Sequence, residues 1–259
     1  MSRVPVNGWR RAVVWGAVLA LLAGGVAGLS AGPALAQSLT FDLNDAGGST
    51  TGRVIQLVAL ITVLSLAPSI LIMMTAFTRI VIVLSFLRQA LGVQQVPPNT
   101  VLVSLALFLT FFIMAPVFER SYTQGIVPLI NEDIDEMEAL RRTAAPFRDF
   151  MLHHTNERDL QLFVDMGRVG PIASPEATPY QVLIPAFMIS EIKRAFEIGF
   201  LLFLPFLIID MVVSSILMSM GMMMLPPTMV AVPFKIIFFV LVDGWYLIAG
   251  SLARSFGTL

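Results

Sequence analysis

The chain has 259 residues, of which 57% are hydrophobic and only 13% charged, with a mean hydropathy of +0.85. Soluble domains carry about 25% charged residues, so this composition suits an apolar solvent or a large apolar interface. A net charge of −1 removes the electrostatic case for nucleic acid, and the absence of cysteine excludes disulfides and thiolate chemistry.

Arg3, Arg10 and Arg11 open the chain as a basic stretch, Ala12 to Ser30 is apolar and uncharged, and Ala34-Leu35-Ala36 is a small-x-small site followed by Gln37. This layout predicts a secretory signal peptide over residues 1–36, with a retained anchor as the alternative because the apolar run is long. Residues 37–53 then read as a flexible linker, rich in Gly, Ser and Thr between Asp42 and Gly52.

Four apolar segments follow. Val54 to Phe77 and Val101 to Phe118 carry no charge, Ile198 to Leu225 carries Asp210, and Met229 to Ala253 carries Lys235 and Asp243. Each approaches the roughly 20 residues that cross a bilayer core. Pro68 and Pro205 interrupt two of them, and Pro97-Pro98 and Pro226-Pro227 bound others. Because proline cannot continue a helix without losing a hydrogen bond, the pattern predicts an all-α integral membrane protein built of broken helical hairpins. The first hairpin spans residues 54–118 and the second 181–259. Arg79 and Arg88, with no acid between the first two segments, place that connection on the cytoplasmic side. The insert at 119–180 has more acids than bases and is expected outside. Within it, Asn131 is expected to cap an acidic helix ending at Arg141 and Arg142, and a second helix to start at Pro146.

Several charges sit poorly with simple spans. Glu191, Lys193, Arg194 and Glu197 precede the third segment, with Lys193 and Glu197 spaced to pair, and Asp210, Lys235 and Asp243 lie deeper. Charges in hydrocarbon are costly, so these side chains are expected to face protein or water. Local pairing would hold the hairpin together; pairing between subunits or a polar channel lining would be functional.

Between the third and fourth segments runs Met218-Ser219-Met220-Gly221-Met222-Met223-Met224-Leu225-Pro226-Pro227, which holds five of the chain's 15 methionines. Methionine is unbranched and soft, so the cluster suits either gap filling among helices or a deformable seal. Nucleophile-elbow, zinc-protease and phosphate-loop motifs are absent, so no catalytic residue, cofactor or metal is expected. His153 and His154 are adjacent and read as a solvated pair.

Ordered blocks then carry a resemblance. Pro68-Ser69-Ile70-Leu71-Ile72-Met73-Met74-Thr75-Ala76-Phe77-Thr78-Arg79, Leu87-Arg88-Gln89-Ala90-Leu91-Gly92 and Pro97-Pro98-Asn99 resemble the FliP family of flagellar export proteins. So do Leu105 to Thr110, Ser190-Glu191-Ile192-Lys193-Arg194-Ala195-Phe196, Phe203-Leu204-Pro205-Phe206-Leu207, Gly221 to Pro227, Pro233-Phe234-Lys235 and Leu241-Val242-Asp243-Gly244-Trp245. The similarity covers Val54 to Phe256.

The resemblance implies a gating subunit of the flagellar type III export channel in the bacterial inner membrane. Several copies, as a pentamer, would join FliQ and FliR in a helical oligomeric assembly near FlhB and FlhA, and unfolded flagellar subunits would pass through it. Met220, Gly221, Met222, Met223 and Met224 would form the gasket, while Glu191, Lys193, Arg194, Asp210, Lys235 and Asp243 would make polar contacts between subunits. A stand-alone small transporter, the export gate of a virulence secretion system and an intramembrane enzyme are the competing readings.

Overall fold

A computed structural model describes residues 50–93, 96–168, 170, 174, 177–222 and 225–257. The expected signal peptide and nearly all of the linker lie outside the described residues. The chain divides after Val58 into two units; the second, from Ala59 onward, carries the features that follow.

All regular structure among the described residues is helical: α1 (Thr50–Met73), α2 (Phe77–Ala90), α3 (Asn99–Ser121), α4 (Val127–Ile130), α5 (Glu136–His154), α6 (Glu157–Met166), α7 (Tyr180–Ser219), α8 (Pro227–Leu241) and α9 (Gly244–Arg254). Prolines mark the boundaries. Pro98, Pro179 and Pro226 stand immediately before α3, α7 and α8, and Pro227 is the first residue of α8, where its missing N–H would have no intrahelical partner anyway. A single π-helical turn, Tyr122–Ile126, joins α3 to α4. It brings Gly125 so close to α5 that a Cβ there would lie 2.1 Å from the Thr143 hydroxyl.

The core gathers one face of each helix. Ile80, Val83 and Leu84 of α2 pack with Ala106, Ile113 and Met114 of α3, Phe150 and Met151 of α5, Leu183, Phe187 and Ala195 of α7, and Leu252 of α9. A smaller cluster joins Leu87, Ala90 and Leu91 to Phe206 and Phe239. Fully burying one such side chain contributes about 1.5–3 kcal/mol. At the α2–α7 crossing, Gly199 leaves a notch for the Phe86 ring, which meets Phe196 and Phe203 edge-to-face at 4.9 and 6.2 Å.

The helices differ from the sequence expectations in five places. Two helices among the described residues, Asn99–Ile130 and Tyr180–Ser219, are long and apolar enough to cross a membrane. A third span exists only if α8 and α9, bent by 65°, count as one, so four spans become two or three. The connection read as a short basic loop is helix α2, and Arg79 is fully buried in it. Asp135 caps α5 by accepting the Glu138 amide at 3.3 Å, while Asn131 lies at the C-terminal end of α4. Pro146 lies inside α5, and the break comes at Thr155–Asn156, where Asn156 caps α6. Finally, Arg141 and Arg142 do not end a helix. Their Nε–H groups both donate to Glu138 at 2.7 Å, and this holds the Glu138 carboxyl down at about 2.

The insert is fastened to α7 and to the end of α3 by polar contacts. The Ser190 hydroxyl accepts the Asn156 amide at 2.9 Å and donates to Asp159 at 2.7 Å. The Tyr180 hydroxyl donates to the Ala144 carbonyl at 3.3 Å, and the Arg148 guanidinium lies 4.3 Å from the centre of the Tyr180 ring. The Ser121 hydroxyl donates to the Thr143 carbonyl at 2.6 Å.

Candidate functional site

The methionine-rich loop occupies the turn from α7 to α8. Met220 ends α7 and Gly221 follows with φ +75°, a left-handed conformation that costs glycine little. Met222 closes the turn through its amide, which donates to the Leu217 carbonyl at 3.0 Å. Met220 is 59% and Met222 43% exposed, so these two side chains do not fill the chain's own core. Met223 and Met224 lie outside the described residues. The helices entering and leaving the loop are also exposed on apolar side chains, including Met211, Ile216, Met218, Met229, Phe234 and Ile237.

Behind the loop, Lys235 clamps three helices. Its ammonium donates to Asp210 Oδ2 of α7 at 2.6 Å and to the Ala90 carbonyl at the end of α2 at 3.1 Å. Lys235 is buried and Asp210 half-buried. Asp210 Oδ1 is buried without a hydrogen-bond partner among the described residues. Cations are favoured beside the free carbonyls of a helix C-terminus, which explains the second contact.

A second clamp lies deeper. Arg79 Nε donates to Glu191 Oε2 at 2.8 Å and Nη2 to Oε1, a two-pronged pair in which both side chains are fully buried. Arg79 Nη1 also donates to the Ser255 carbonyl at 3.0 Å and hydroxyl at 2.9 Å, and the guanidinium sits 3.7 Å from the centre of the Phe256 ring. The pair thus ties α2, α7 and the end of α9 together.

Sequence reasoning treated Arg79 as a loop charge and missed this role. The available signal was its position one residue before Ile80, Val83, Leu84 and Leu87, which repeat at helical spacing. Of the six charges singled out, the fold brings Asp210 to Lys235 and Glu191 to Arg79, each within the same chain. Lys193 and Arg194 are exposed, and Lys193 forms no ion pair with Glu197. Asp243 is exposed at the α8–α9 corner with φ 51°.

The two histidines are not both solvated. His153 is exposed, but His154 is buried against Phe150 and Phe256, at ring distances of 4.6 and 5.2 Å. Burial, reinforced by the Arg79 charge, lowers its pKa to about 4. No group of three or more His, Asp or Glu side chains among the described residues is arranged to hold a metal ion.

Long exposed apolar helices, two internal ion pairs between them, and a polar insert folded onto one of the helices define an all-α membrane protein. Comparison with known sequences places it more narrowly. Residues 60–252 match the profile of the FliP family. The chain is 56% identical over 240 residues to the flagellar biosynthetic protein FliP of Caulobacter vibrioides (93% of this chain, 90% of that one). It is 55% identical over 202 residues to the protein of the same name from Bacillus subtilis (78% and 91%), and 47% identical over 230 residues to that of Aquifex aeolicus (88% and 96%). The chain belongs to the FliP family.

Proposed function

We propose that the chain is a structural and gating component of the flagellar type III protein export apparatus in the bacterial inner membrane. Its relatives share the name flagellar biosynthetic protein, which supports the flagellar reading over the virulence system. Five copies assemble with FliQ and FliR beside FlhB and FlhA. The insert lies on the periplasmic side. The chain binds no cofactor and hydrolyses nothing; unfolded flagellar subunits pass when the seal deforms, driven by energy supplied elsewhere.

The observation carrying this reading is the loop itself. Met220 and Met222 project from a left-handed glycine turn between two helices whose apolar faces are exposed. Copies converging on one axis would bring Met222, Met223 and Met224 into a soft ring, because unbranched thioether side chains close irregular gaps and still yield. Lys193, Arg194 and Asp243, exposed and outside the two clamps, are available to contact neighbouring copies.

The test replaces Met222, Met223 and Met224 with Ala together. The expected result is a complex that still assembles but lets small ions and dyes across the membrane. An assembled triple variant that keeps the membrane tight would defeat the gasket.

A further inference from the structure

A groove of about 320 Å³ runs between α3 and α5 and is closed at one end by Phe256. Its α3 wall is Ile113, Pro116, Val117 and Arg120, which lie on one helical face; Asp149 and Phe150 stand opposite on α5. Arg120 and Asp149 are exposed charges of opposite sign facing one cavity, yet neither forms an ion pair among the described residues. Arg120 uses only Nε, towards the Pro116 carbonyl at 3.4 Å. Its remaining N–H groups have no protein acceptor among the described residues, and two unpaired charges of opposite sign suit a dipolar ligand better than a simple anion.

The surroundings indicate what that ligand is. Asn99 to Phe118 contains no charge, so Glu119 and Arg120 mark where α3 leaves an apolar layer. Phe108 and Phe112, 72% and 59% exposed, precede Pro116 and Arg120 at four-residue intervals, so an exposed aromatic strip leads along the helix into the groove. His154, which lines the groove together with the exposed His153, is held neutral at pH 7 by burial. Such a site has an apolar approach, a guanidinium matched to phosphate, and a carboxylate able to pair with an ammonium.

We infer that the groove between α3 and α5 binds the headgroup of a zwitterionic phospholipid. Arg120 takes the phosphate, Asp149 takes the amine, and the acyl chains lie along Phe112 and Phe108.

Native mass spectrometry of the full chain in mild detergent tests this, with phosphatidylethanolamine and phosphatidylglycerol of matched acyl chains added as probes. The parent is expected to retain the ethanolamine lipid at least fivefold over the glycerol lipid. Arg120→Gln should lower retention of both, and Asp149→Asn should erase the preference while leaving lipid bound. Both positions are exposed, so thermal melts of the variants should match the parent; if Arg120→Gln does not fold, the selectivity change in Asp149→Asn decides alone. Equal retention of the two lipids by the parent overturns the proposal, as does unchanged selectivity in Asp149→Asn. Free O-phosphoethanolamine competing as well as the lipid would show that the acyl part has no role, and would refute a membrane ligand. A groove that holds no lipid and instead crosslinks copy to copy through Asp149→Cys would also overturn it.

Discussion

Replacing Glu191 by Ala leaves the Arg79 guanidinium fully buried and without its carboxylate. Removing one partner of a buried pair costs about 3–5 kcal/mol, because the remaining charge is neither solvated nor compensated. Two contacts persist and argue for the lower half of that range: the Ser255 carbonyl and hydroxyl still accept from Nη1, and the Phe256 ring still faces the cation. A desolvated cation–π contact contributes about 2 kcal/mol. For a body of this size 1 kcal/mol moves the melting temperature by about 2–4 °C, so Glu191→Ala should melt about 6–16 °C below the parent in detergent, followed by circular dichroism. Arg79→Leu combined with Glu191→Leu should recover most of that loss, because an apolar pair of similar bulk needs no solvation. A Glu191→Ala protein melting within 2 °C of the parent, or a double variant less stable than either single one, would refute the assignment of this pair as the tie between α2, α7 and the α9 end.

Three further outcomes follow from the geometry. Lys235→Ala should reduce recovery of the assembled oligomer more than expression of the chain, since it frees α8 from α2 and α7 together; Arg254→Ala serves as the control, and equal recovery of both complexes would count against the clamp. Gly199→Ala would place a Cβ 2.5 Å from the Phe86 ring, and the forced shift should cost about 1–3 kcal/mol, less the gain in helix propensity; addition of Phe86→Leu should restore the melting temperature, and failure to do so would locate the strain elsewhere. His154 is held neutral by burial, so the unfolded chain takes up a proton that the folded one resists. Stability should therefore be complete above pH 6.5 and fall as pH drops towards 4, with about 1 kcal/mol lost by pH 5.5 after allowance for partial solvation. His154→Phe should flatten that slope, and an unchanged slope would assign it to another group.

The apolar segments, their proline punctuation and the methionine loop were legible because composition and spacing report them directly. The family was legible because blocks such as Ser190 to Phe196 and Gly221 to Pro227 occur in order. What stayed hidden depended on distant partners. Arg79 counts as a loop charge under any rule that tallies bases, and only the fold reveals a carboxylate 112 positions later in the chain. Pro146 reads as a helix start, but Ser121 and Gly125 hold α5 against the π turn, and packing carries the helix through the proline. Asn131 and Asp135 are both good capping residues, so local preference could not choose between them. Asp210 and Lys235 were visible as charges in apolar runs, but their partnership required the hairpin to close.

The length of α7 gives the molecule a mechanical property. Forty helical residues extend about 60 Å. Through Ala195 the helix is gripped by the core, by Ser190 on Asn156 and Asp159, and by Glu191 on Arg79. Beyond Gly199 few of its residues are buried in the chain: Leu201, Leu204, Leu207, Ile208 and Met211 are all exposed. The helix is therefore held firmly where the insert sits and again, more lightly, by Phe206 and the Asp210–Lys235 clamp, while the methionines lie beyond its last hold. The stretch from Gly199 to Ser219 is about 30 Å long, so a tilt of about 5° there displaces its far end by about 3 Å, roughly half a helical turn. An aperture ringed by such beams could open without any helix unwinding.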